Sequence, residues 1–102
     1  RFVKCPIVMP DFHSSWAQYT ILLKNFEQRD YVQRELRKAD IPTMIYYAKG
    51  MHQQKALLQY LNPNDFFPVT EAICERCLSL PMHPYLKEED IDIVVNKLCE
   101  LL

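Results

Sequence analysis

The end of this chain constrains its fold more than any other stretch. Residues 87–102 place Ile91, Val94, Val95, Leu98 and Leu102 on one stripe at helical spacing. Glu88, Glu89 and Asp90 load the first turn with negative charge, which suits the positive end of a helix dipole. That stripe is the buried face of the clearest helix in the sequence. A chain of 102 residues has material for one domain and one core. The remaining segments must therefore supply the layer on which this helix packs.

That layer reads as a small sheet. Residues 15–24 are rich in aromatic and β-branched side chains, among them Trp16, Tyr19, Thr20 and Ile21, and read as a central strand. Residues 28–39 read as a helix, with Tyr31 or Val32, Leu36 and Ala39 on one face. Asp40-Ile41-Pro42 ends it, because a residue before proline avoids the helical region. Residues 43–47 read as a second strand, Gly50 as a loop, and residues 52–61 as a short helix. Asn62-Pro63-Asn64-Asp65 is a turn cluster. Residues 68–78 read as a helix with Pro68 in its first turn, Glu71 at its positive end, and Ile73, Cys77 and Leu78 facing inward. Residues 78–81 read as a short edge strand. Pro6 and Pro10 favour extended backbone near the start. The expected class is α/β (an α+β small domain): a mostly antiparallel sheet of about three strands with helices packed on it.

Composition removes several functional classes. Hydrophobic residues make up 49% and charged residues 25%, which is not the balance of a disordered chain. The net charge is -1, and Arg29, Arg34, Arg37 and Lys38 are interleaved with Glu27, Asp30 and Glu35. This is a mixed solvated face, not a nucleic-acid stripe. No apolar run approaches the roughly 20 residues of a membrane helix, and the start lacks the apolar core of a signal peptide. Cys74 and Cys77 form a C-x-x-C late in an expected helix, away from the helix start that would activate a thiol. Zinc would require two further ligands at compatible spacing, and the sequence has none. The four cysteines read as reduced cytosolic thiols packed as small apolar groups.

Four ordered stretches carry a family resemblance. Residues 45–54, Ile-Tyr-Tyr-Ala-Lys-Gly-Met-His-Gln-Gln, resemble the loop pattern "hYP-x-P-[LM]-H-x-Q" of DegT/DnrJ/StrS sugar-nucleotide aminotransferases. Trp16-Ala17-Gln18-Tyr19-Thr20-Ile21 resembles the family strand that leads into a helix carrying Arg29 and Leu36, followed by Asp40-Ile41-Pro42-Thr43 in place of "GIPT". Residues 65–71 resemble "GDFPVTE", and residues 78–86 resemble "LSLPMHPYL". Departures fall at Ala48 and Gly50, where the family usually has prolines, and at Asp40, where it commonly has glycine. A looser loop is expected from the first two.

The resemblance implies that residues 1–102 are the C-terminal small domain of a pyridoxal-phosphate enzyme of aminotransferase fold type I, without its large cofactor-binding domain. It implies a cytoplasmic, homodimeric enzyme of polysaccharide biosynthesis that moves an amino group from glutamate to a nucleotide-linked keto-sugar. No catalytic residue is expected here, because Lys24, Lys38, Lys49, Lys55, Lys87 and Lys97 lack the context of the Schiff-base lysine. The resemblance places residues 47–54 against the substrate, with His52, Tyr47, Gln54 and Lys49 as contacts. An imidazole can donate to a sugar or diphosphate oxygen, and a lysine can meet a phosphate as a point charge. His83 reads as part of a rigid turn and Arg29 as structural. The competing class is a stand-alone binding or regulatory module derived from this fold, distinguished by what precedes Arg1. No metal or nucleic-acid partner is expected.

Overall fold

The computed structural model describes residues 2–102. Strand β2 (Tyr19–Leu23) is central in a three-stranded antiparallel sheet, between β1 (Val3–Lys4) and β3 (Cys77–Leu80). The register pairs Val3 with Leu23 and Ile21 with Leu78. Side chains alternate across a strand, so Ile21 and Leu23 share one face. They form the core with Val32 and Leu36 of α1 (Phe26–Lys38), Ile41, Leu78 of β3 and Leu98 of α3 (Glu88–Leu101). This is the α/β domain that the sequence pattern implies.

The central strand is shorter than residues 15–24. Trp16 has φ 50, a left-handed conformation that breaks the extended run ahead of Tyr19. At the other end Asn25 leaves the sheet to cap α1, its Oδ1 accepting the Gln28 N–H at 3.0 Å. The helix therefore starts at Phe26. It closes with the N–H of Asp40 donating to the Arg37 carbonyl at 3.1 Å and that of Ile41 to the Leu36 carbonyl at 3.0 Å. This is a Schellman closure, with buried Ile41 and Leu36 as its apolar pair.

Residues 43–47 do not form the expected strand. Only Met44 pairs, exchanging two backbone hydrogen bonds with Ser79 at 3.1 and 2.7 Å. Strand preference of β-branched and aromatic residues reports fit to a half-buried surface, and Tyr46 and Tyr47 lie exposed here. The short helix expected over 52–61 is two 3₁₀ turns, Met51–Gln53 and Lys55–Tyr60, separated by extended Gln54. Helix α2 (Pro68–Arg76) begins at Pro68 as expected but stops before Cys77. Cys77 and Leu78 belong instead to β3, where they pair with Leu22 and Ile21. Ile73 is exposed, and Cys74 takes the inward position on α2. On α3 Leu98 is buried, Val94 and Leu102 partly so, and Ile91 and Val95 remain exposed. Among the described residues no helix is long and apolar enough to cross a membrane.

Candidate functional site

The loop that leaves the Met44 bridge turns tightly at Gly50. The Gly50 N–H donates to Gln53 Oε1 at 3.0 Å, and the Gln53 N–H donates back to the Gly50 carbonyl at 2.9 Å. The reason for glycine is space. A Cβ at position 50 would lie 2.6 Å from His52 Cε1, 2.7 Å from Nδ1 and 2.8 Å from Thr70 Cγ2. The imidazole lies over bare backbone that a proline or alanine would fill.

His52 is held on two further sides. Its Nε2 is 2.8 Å from Oε1 of Glu71, in the first turn of α2, and its ring packs on Phe67 at 4.8 Å between centroids. The His52 side chain is 14% exposed and that of Glu71 38%. Because a carboxylate only accepts, the proton sits on Nε2, and in the neutral ring Nδ1 is left as an acceptor. The carboxylate makes this a charge-assisted hydrogen bond, and a protonated ring would make it an ion pair and Nδ1 a second donor. The Gly50 turn and the Glu71 contact fix the ring without prolines at 48 and 50.

The other expected contacts are spread along the loop. The Tyr47 side chain is 70% exposed, its ring edge-on to Tyr46 at 5.7 Å. Gln54 is exposed, and it is Gln53 whose amide closes the turn. Lys49 is exposed at the mouth of a cleft of about 550 Å³ between α1 and α2, lined also by Arg29, Glu71 and Glu75. His83 braces its turn, Nδ1 accepting the Tyr85 N–H at 3.2 Å. Cys74 and Cys77 are buried thiols, and burial, with Cys74 nearby, pushes the Cys77 thiol up from its ordinary value. The sequence reading missed Glu71 as the partner of His52; its first-turn position explained the acid and hid the second role.

A covalent pyridoxal-phosphate anchor needs a lysine in a pocket that disfavours its charge. Six of the seven lysines are exposed, and the seventh, Lys97, is paired with Glu100 at 2.9 Å. The described residues do not fit that anchor.

A three-stranded antiparallel sheet with helices packed on it is an α/β fold shared with solved aminotransferases. Within it the chain belongs to the DegT/DnrJ/EryC1/StrS aminotransferase family, whose model matches residues 2–99. It is 34% identical over 94 residues to the erythromycin biosynthesis sensory transduction protein EryC1 of Saccharopolyspora erythraea, across 90% of this chain and 25% of that protein. It is 33% identical to the UDP-2-acetamido-2-deoxy-3-oxo-D-glucuronate aminotransferase of Pseudomonas aeruginosa, across 87% of this chain and 23% of that protein. The structure of a DegT DnrJ EryC1 StrS aminotransferase from Brucella abortus superposes with a TM-score of 0.86 at 40% identity, over 96% of this chain and 26% of that one. The chain thus spans about a quarter of the length of the curated relatives it matches.

Proposed function

We propose that this chain is the C-terminal small domain of a pyridoxal-phosphate-dependent sugar-nucleotide aminotransferase and supplies substrate contacts and closure. The observation that carries the reading is the fixed imidazole of His52, set by Gly50, Phe67 and Glu71 in the loop that matches the family pattern. Nδ1, an acceptor in the neutral ring, would take a sugar hydroxyl, and a diphosphate oxygen only when the ring is protonated, with Tyr47, Lys49 and Gln54 as flanking contacts. The large domain holds the cofactor and the reactive lysine, and the whole protein works as a cytoplasmic homodimer with glutamate as donor. The relatives named for nucleotide-sugar aminotransfer support the substrate class.

Two measurements test this. In the full-length protein His52→Ala raises KM for the sugar nucleotide or lowers kcat at least tenfold, whereas unchanged kinetics remove His52 from the site. The isolated chain, mixed with pyridoxal phosphate and glutamate, yields no pyridoxamine phosphate or keto acid; their appearance overturns the division of labour. A regulatory module is the second reading, favoured by the relative named as a sensory transduction protein. A full-length product that binds the sugar nucleotide but has no reactive lysine would establish it.

A further inference from the structure

We propose that the cleft where Phe2, the exit of β2 and the last residue of α2 meet binds a phosphomonoester, its dianion held by Arg76 and Lys24. The cleft has a volume of about 550 Å³ and is lined by Phe2, Lys24, Gln28, Arg76 and Leu102. Arg76 ends α2, and its guanidinium is held on two sides. Nε donates to the Leu23 carbonyl at 2.7 Å, and the guanidinium carbon lies 5.5 Å from the centre of the Phe2 ring. Those contacts use one N–H and one face. Among the described residues Nη1 and Nη2 have no hydrogen-bond partner, and neither is buried. The outer edge of the fork is thus open to a ligand. Lys24 follows Leu23 directly in the chain, so the carbonyl that holds Arg76 also brings the lysine to the cleft. Gln28 Oε1 accepts the Lys24 N–H at 2.9 Å, which leaves the Nε2 donors of that amide unused.

The charges of the cleft select its ligand. Lys24 and Arg76 both carry a positive charge, and no acidic side chain lines the cleft. Among the described residues neither cation forms an ion pair. A carboxylate would balance one of the two charges. A phosphomonoester, with a charge of about −1.5 to −2 at neutral pH, balances both. Two coplanar N–H groups of a guanidinium match two phosphate oxygens, and the lysine adds a point charge. The Phe2 ring and the Leu102 side chain, which packs on the core, give the organic part of an ester an apolar wall. Inorganic phosphate would leave that wall unused. The cleft shares no lining residue with the His52 loop or with the contacts assigned to the sugar nucleotide, so it is a separate site.

The test is an NMR titration of the full chain with phenyl phosphate, inorganic phosphate and benzoate. Phenyl phosphate should shift the signals of Lys24, Gln28 and Arg76 saturably. Inorganic phosphate should move the same signals at least threefold more weakly in affinity, and benzoate at least tenfold more weakly. Lys24→Gln, at an exposed position, should weaken phenyl phosphate at least fivefold. Arg76→Lys, which keeps the charge and removes the fork, should weaken it at least tenfold. Because Arg76→Lys also removes the donor to Leu23 and can loosen the fold, the decision rests on the Lys24 variant and on the three probes. Benzoate or inorganic phosphate binding as tightly as phenyl phosphate, an unaltered affinity in Lys24→Gln, or no saturable shift with phenyl phosphate overturns the proposal.

Discussion

A methyl group at position 50 would meet both the His52 ring and the Thr70 methyl well inside contact distance. Gly50→Ala should therefore push the imidazole off Glu71 and destabilise the chain by about 1–3 kcal/mol, the usual cost of overpacking. Urea unfolding gives the energy, and the His52 ring signals give the displacement; a variant with wild-type stability and an unmoved ring would refute the account. His52 was legible in the sequence because it sits in a patterned loop. Its partner was not. Glu71 lies 19 positions away, and only the return of α2 across the loop brings the two to 2.8 Å. The same holds for Arg29, whose place in a mixed-charge helix suggests a solvated residue; burial is set by what packs over it, which linear charge pattern does not report.

At the scale of elements, α1 shows how a local rule is kept with an unusual residue. Its Schellman closure places Asp40 in the left-handed region at φ 57, where glycine is the usual choice. An L-residue there carries strain, less for Asp than for most. Asp40→Gly should raise stability by about 0.5–1 kcal/mol, the strain relieved less the added freedom of the unfolded chain. A chemical-denaturation midpoint that falls in this variant would show that Asp40 makes a compensating contact. The helices were legible because stripes and first turns are local: Pro68 and the acidic first turn of α3 act within a few residues, whereas the Asn25 cap went unread and α1 begins at Phe26, ahead of the expected Gln28. The segment 43–47 was not, because whether a strand-like run pairs depends on a neighbour far along the chain. It found Ser79 for a single residue.

At the scale of the whole molecule, the fold holds one phenol and one thiol, Tyr19 and Cys77, toward the uncharged side of their equilibria. Tyr19 is pushed above its ordinary value by burial and then by Cys5, and Cys77 by burial and then by Cys74. In each case the folded chain holds the proton more tightly than the unfolded one. Stability from these groups is complete below their unfolded pKa values, about 8.5 for thiol and 10 for phenol, and falls as pH rises beyond them. Thermal midpoints should thus decline on the alkaline side from about pH 8.5, and iodoacetamide should label exposed Cys5 and Cys99 well before Cys74 and Cys77. A flat alkaline profile with equal labelling would contradict this. The turn at Gly50 also bears on descent. With the His52 ring and the Thr70 methyl where they stand, a side chain at position 50 has no room until one of them turns aside. The family pattern keeps proline at 50 together with histidine at 52, so proline and glycine at this position imply two different seats for the same imidazole.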